Sequence, residues 1–216
     1  MKSKNSKVSY APLMTDLVAA GTLGLIAGLF ALVTIDNLGY LNKKVFGVTF
    51  TPIVIILGFI VVCMVGVYIG RVLSRWLALL YSFVKFGEAG GLNWLVDIGI
   101  VNLLILITGF STGLYFIAFK ATSFVVASTN SYFWNKHWVF RGGKKQGQTQ
   151  EVGKFAIATT TGLVLNVIVA GTVSFLGPNV LGSISNAGWA NIATICGSLF
   201  AMIFNFILYK IWVFKA

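Results

Sequence analysis

Apolar residues in this chain gather into six long runs rather than alternating with polar ones: Leu13 to Ile35, Pro52 to Ile69, Phe86 to Ile107, Leu114 to Trp134, Phe155 to Leu176 and Trp189 to Leu208. Each run is long enough to cross roughly 30 Å of hydrocarbon at about 1.5 Å per residue. A helix satisfies its own backbone groups in lipid, so the pattern predicts six transmembrane α-helices. Between the second and third runs, Arg71, Ser74, Arg75, Ala78, Ser82 and Lys85 recur at helical spacing, while Val72, Leu73, Trp76, Leu79, Leu80 and Phe83 populate the other face. That spacing predicts an amphipathic helix along the inner leaflet. The competing reading is that the second span simply runs on past the bilayer. Arg141 to Gly153, rich in Gly, Gln and Lys, reads as a hydrophilic linker.

Composition agrees with a membrane as the solvent, since 57% of the 216 residues are hydrophobic and 10% are charged. A net charge of +11 would suit nucleic acid if the basic residues lined one polar face, but they sit at the ends of the apolar runs. With a cytoplasmic N-terminus, Lys2, Lys4, Lys7, Arg71, Arg75, Lys85, Lys136, Arg141, Lys144, Lys145, Lys154, Lys210 and Lys215 fall inside. Lys43, Lys44 and Lys120 fall toward the outside. The positive-inside rule then predicts a multi-pass protein of the cytoplasmic membrane with both termini in the cytoplasm. Met1 to Tyr10 is polar and no small-residue cleavage site follows it, so the first run reads as a retained span. Cys63 and Cys196 lie inside apolar runs and read as packing residues, without a disulfide framework or a metal site.

The last four runs form two similar pairs. Lys85-Phe86 and Ala89 recur 69 residues later as Lys154-Phe155 and Ala158, with Asp97 falling on Asn166. The closing segment Lys136-x-Trp138-Val139-Phe140-Arg141 recurs 74 residues later as Lys210-x-Trp212-Val213-Phe214-Lys215, with Ala127 falling on Ala201 and Ser131 on Asn205. Both copies would enter the membrane in the same direction, related by a pseudo-two-fold axis along the membrane normal, and binding sites in such folds lie between the repeats. The expected fold is an all-α integral membrane protein of six transmembrane helices, the last four a duplicated helix pair, with an inner-leaflet amphipathic helix.

Lys-Phe-Gly-x-Ala-Gly-Gly-Leu-Asn-x-Leu-Val-Asp from Lys85 to Asp97, together with the Trp-Val-Phe-(Arg/Lys) close of both pairs, resembles the GtrA-like family of small four-helix membrane proteins. The resemblance covers roughly Leu80 to Ala216, which divides the chain into an N-terminal extension, 1–80, and a GtrA-like domain, 81–216, with repeats 85–141 and 154–215. It implies a role in moving polyprenyl-phosphate-linked sugars from the cytoplasmic to the outer leaflet, for cell-surface polysaccharide or cell wall. It also implies a cytoplasmic-side membrane glycosyltransferase as partner, which some members are thought to anchor. The N-terminal helix pair departs from the family pattern.

Asp97 lies about 18 Å along the helix from Lys85, near the midplane. A central Asp costs roughly 2.5–3.5 kcal/mol to insert, so it must face protein or water. Asn93, one turn earlier, shares its face with Gly90 and Val101, a stripe able to contact sugar hydroxyls. The bland alternative is that Asp97 hydrogen-bonds a neighbouring helix and only holds the bundle together. Lys120 shares a stripe with Ser123, Ala127, Ser131 and Asn135, matched in the second copy by Gly197, Ala201, Asn205 and Tyr209. Either Lys120 pairs with Asp97 until a lipid phosphate displaces it, or it snorkels to the outer interface. Glu88 lies opposite Asp97 and reads as an interfacial pair with Lys85. Lys136, Arg141, Lys154 and Lys210 form a cytoplasmic ring suited to a phosphodiester, although topology alone also explains them. Trp134, Trp138 and Trp212 read as belt residues, and His137 as interfacial.

The candidate substrate-binding set is therefore Asn93, Asp97, Lys120, Ser131, Asn135, Lys136, Arg141, Asn166 and Asn205. No Walker loop or nucleophile elbow is present, so the expectation is a non-enzymatic protein without cofactor or metal. Gly21, Gly24 and Gly28 offer close helix contact, internally or with a second copy in a homo-oligomer. Three functions compete: a flippase for polyprenyl-phosphate sugar, a non-catalytic scaffold for a glycosyltransferase, and a small solute carrier coupled to protons through Asp97.

Overall fold

The computed structural model describes residues 12–45, 47–110, 113–141, 148–180 and 186–214. Its elements are α1 (Leu13–Asn37), a two-residue hairpin of β1 (Lys44–Val45) and β2 (Val48–Thr49), α2 (Pro52–Leu73), α3 (Leu79–Thr108), α4 (Gly113–Trp134), α5 (Gln148–Val180) and α6 (Asn186–Leu208). Five-residue π-helical turns, Asn135–Val139 and Tyr209–Val213, close α4 and α6. These two turns occupy the same place in the repeated sequence. Lys2, Lys4, Lys7, Lys144, Lys145 and Lys215 lie outside the described residues.

Helix ends follow local chemistry. Thr51 accepts the Val54 N–H at 3.3 Å and Pro52 takes the first helical position of α2, where its missing N–H costs nothing. Gly109 ends α3 in the left-handed region at φ 74°, a conformation that side chains with a Cβ disfavour. Among the described residues, five helices are long and apolar enough to cross a membrane: Leu13–Asn37, Pro52–Leu73, Leu79–Thr108, Gln150–Gly177 and Ile195–Val213. At 22 residues α4 has the length, but Lys120, Ser123, Ser128, Asn130 and Ser131 dilute its apolar character.

The chain divides into two compact units, Met1–Val139 and Phe140–Ala216. In the first, α1 and α2 form an antiparallel hairpin held at glycine. A Cβ at Gly24 would come within 2.6 Å of the Ile60 Cα, and one at Gly28 within 2.9 Å of the Ile56 Cα. Gly24 and Gly28 thus make their close contact internally, with α2, one of the two uses the stripe allows. α1 runs parallel to α3: Asp16 meets Tyr81 at one end and Asn37 meets Asn102 at the other, with the same separation of 65 residues. Between these two clasps Phe30 fills the space at Gly99.

The expected inner-leaflet amphipathic helix is not a separate element. Its residues are divided among the last turn of α2, a reversal over Ser74–Ala78 and the first turns of α3. The reversal is fixed by packing, because Val84 sits where a Cβ on Gly70 would come within 3.0 Å and the Arg71 guanidinium lies 5.2 Å from the Tyr81 ring centroid. α3 therefore folds directly back onto α2.

In the second unit, α5 and α6 pack antiparallel, and Asn205 occupies the space that a side chain at Gly162 would need. Phe140, Phe155, Phe206, Tyr209 and Phe214 form its aromatic core, with Phe140 and Phe214 stacked at 5.6 Å and 16°. These two rings come from the two Trp-Val-Phe segments, so each motif delivers its Phe to a buried position.

Candidate functional site

α3 presents its polar residues at two levels. At the lower level, Asp16 of α1 is fully buried and receives three side-chain donors. These are the Tyr81 hydroxyl, the Trp138 indole N–H at 3.0 Å and the Lys85 ammonium at 3.4 Å. Lys85 also donates to the Trp138 carbonyl at 2.8 Å, and its ammonium lies 4.9 Å and 5.3 Å from the Tyr81 and Trp138 ring centroids. The π-turn aims the Trp138 ring inward. Trp134 is buried as well and donates to Asn130 at 3.1 Å, so neither indole is a belt residue.

Glu88 does not take up Lys85 as its partner in the manner expected. Lys85 is engaged by Asp16, while the Glu88 carboxyl turns to α2 and fills the space that Gly66 leaves open. Neither Glu88 oxygen has a hydrogen-bond partner among the described residues.

The upper level lies at the middle of α3. Asp97 accepts the Ser123 hydroxyl of α4 at 2.6 Å, and Ser123 is fully buried. One turn earlier, the amide oxygen of Asn93 is buried without a hydrogen-bond partner among the described residues. Lys120 lies on α4, but its side chain is outside the described residues, so its pairing with Asp97 is too. Further along, Asn135 is 2% exposed. Its Nδ2 donates to the Ser131 carbonyl at 2.8 Å and the Ser131 hydroxyl at 3.3 Å, and its Oδ1 has no hydrogen-bond partner among the described residues. Lys136 donates to the Tyr132 hydroxyl at 2.9 Å.

The second unit carries comparable rungs between α5 and α6. The Lys154 ammonium lies 6.0 Å from the Trp212 ring centroid. Thr159 and Tyr209 share a hydroxyl hydrogen bond, and the Asn166 amide reaches the Ser198 hydroxyl at 3.4 Å. The Asn205 oxygen is buried without a hydrogen-bond partner among the described residues. Arg141 is exposed, with left-handed backbone at φ 50° immediately after its π-turn.

Of the predicted set, Asn93, Asp97, Ser131, Asn135 and Lys136 lie in the first unit and Arg141, Asn166 and Asn205 in the second. The contact missing from the sequence reading is the Asp16 cluster with Tyr81. A signal was present: Asp16 is one of five acidic residues and falls within the first apolar run, so the reasoning applied to Asp97 applied equally there.

Neither a curated protein nor a solved structure matches the chain. The profile of the GtrA/DPMS transmembrane domain matches residues 85–214, from the lysine that opens the first pair to the phenylalanine that closes the second. With five helices of membrane-crossing length and apolar character, this is a multi-pass membrane protein. By that match, the chain belongs to the GtrA/DPMS transmembrane-domain family.

Proposed function

We propose that this protein translocates a polyprenyl-phosphate-linked sugar across the cytoplasmic membrane through a polar path between its helices, without catalysing a covalent step. The observation that carries the reading is a buried amide oxygen without a hydrogen-bond partner among the described residues in each helix pair, Asn93 in one and Asn205 in the other. In the repeat, 93 corresponds to Gly162 and Asn205 to Ser131, so the asparagine changes helix but keeps its level. Each stands beside a polar rung, Asp97 with Ser123 or Asn166 with Ser198. An unsatisfied buried amide costs on the order of 1–3 kcal/mol. A sugar hydroxyl supplies the missing donor, and the polyprenyl tail stays in lipid.

The family supports the lipid-linked-sugar class. The remaining features belong to the same proposal: six spans with both termini in the cytoplasm, a duplicated four-helix domain over 81–216, and a glycosyltransferase that makes or uses the lipid. A path of this kind lowers the cost of bringing polar groups through hydrocarbon. Net direction then follows from synthesis on one side and consumption on the other.

Proteoliposomes holding only this protein should move a labelled polyprenyl-phosphate sugar between leaflets, and an Asn93→Leu/Asn205→Leu variant should lose most of that rate. A wild-type protein that reconstitutes folded and moves no lipid would exclude the reading. Co-purification with a transferase alongside inert liposomes would instead identify a scaffold.

A further inference from the structure

We propose that Lys85, Trp138 and Tyr81 form a binding site for a phosphate-type oxyanion, and that the Asp16 carboxylate of α1 occupies it in this conformation as an internal stand-in. Three donors from three side chains converge on two carboxylate oxygens. All four residues are 5% exposed or less. Ammonium, indole N–H and hydroxyl groups collected around an anion are the donor set that recognises phosphate, with lysine serving as a compact point charge.

The origin of each part makes this more than a structural ion pair. Lys85 opens the first repeated pair and Trp138 lies in its closing segment, and Lys154 and Trp212 stand in the same relation in the second. Their ammonium-to-ring distances are 5.3 Å and 6.0 Å. The lysine and tryptophan belong to the family-matched segment, 85–214, whereas Asp16 comes from a helix outside it. Two of the three donors, Lys85 and Trp138, thus lie in the matched segment, Tyr81 stands one turn before it on the same helix α3, and the carboxylate comes from α1. A buried ion pair seldom stabilises a fold more than apolar packing of the same volume, so fastening α1 to α3 is not a sufficient reason for one here. Withdrawal of the first turn of α1 exchanges one anion for another on the same donors, without leaving Lys85 uncompensated. The N-terminal helix pair is then a plug for the site.

The inference rests on the lipid-phosphate reading only for its natural ligand, and its test is a binding measurement that does not depend on transport. Purified full-length protein in detergent is titrated with radiolabelled farnesyl phosphate, with inorganic phosphate and with farnesol. Asp16→Asn removes the competing charge while keeping the shape of the side chain. It should bind farnesyl phosphate about tenfold more tightly than wild type, the effect of one charge-assisted hydrogen bond. Asp16→Asn/Lys85→Met should lose that gain, and farnesol should show none. The same gain with inorganic phosphate would identify free phosphate as a sufficient ligand, and its restriction to farnesyl phosphate would identify a lipid headgroup. Wild-type affinity in folded Asp16→Asn, or a gain that survives in the double variant, would overturn the proposal. So would failure of both Asp16→Asn and Asp16→Glu to fold, because Asp16 would then be a tether.

Discussion

Trp138 donates its indole N–H to Asp16 over 3.0 Å, joining the π-turn after α4 to the first turn of α1 across 122 residues of chain. That bond brings a family-motif residue and a residue of the N-terminal extension into one buried cluster. The lysine between them is held from both sides, by the Asp16 carboxylate and the Trp138 carbonyl.

Removing the lysine alone should therefore be costly. Lys85→Met leaves Asp16 without its cation and should destabilise the protein by about 3–5 kcal/mol, the usual penalty for breaking a buried pair from one side. Asp16→Asn/Lys85→Met should recover much of that loss. Unfolding in mixed micelles, followed by circular dichroism, measures both; equal stability of single and double variants would contradict the assigned pairing.

The α1–α2 hairpin gives a steric prediction. Gly24→Leu places a side chain where its Cβ would already lie 2.6 Å from the Ile60 backbone. It should cost about 1–3 kcal/mol through overpacking or separate the helices outright. Gly58→Ala enters open space, so it should be neutral or stabilise by up to about 1 kcal/mol through helix propensity. Disulfide trapping between cysteines placed on α1 and α2 should weaken in the first variant and persist in the second.

At the middle of α3, Ser123→Ala deletes a fully buried donor to Asp97. The expected cost is about 1–3 kcal/mol, because a carboxylate loses a hydrogen bond where water does not replace it. If Asp97 also lines the lipid path, Asp97→Asn should reduce the flipping rate by more than the stability loss explains. A variant that moves lipid at the wild-type rate would assign Asp97 to helix packing alone.

Tyr209 separates hydrogen bonding from packing in the second unit. Tyr209→Phe removes the bond to Thr159 while leaving the ring among Phe140, Phe155 and Phe214, and should cost about 1 kcal/mol. Tyr209→Ala empties the cluster and should cost about 3–5 kcal/mol. Near-ultraviolet dichroism should change strongly only in the alanine variant.

Much of the fold was legible because hydrocarbon imposes a length and a periodicity on any chain that crosses it. The six apolar runs lie within α1 to α6, with helix ends displaced by only a few residues at most boundaries. The paired Trp-Val-Phe motifs pointed to equivalent positions, and a π-turn runs through the Trp-Val of each. Less was legible where two readings share one periodicity. The amphipathic spacing over Arg71 to Lys85 fits an in-plane helix and a helical hairpin equally, and packing of Val84 on Gly70 selected the hairpin. Trp134 and Trp138 suit a lipid belt by position, but both are buried in the protein, Trp134 at the end of α4 and Trp138 in the turn that follows.

The sequence by itself determined where the long apolar helices run and the family to which the last two thirds of the chain belong. These follow from local composition and spacing, which need no knowledge of neighbours. Tertiary structure decided the partners: that Lys85 answers to Asp16 rather than Glu88, that Gly24 and Gly28 are spent on α2, and that Asp97 meets Ser123. Such choices depend on which faces of distant helices meet and in what register, and side-chain pairing over 26 to 122 residues leaves no local trace in the order of amino acids.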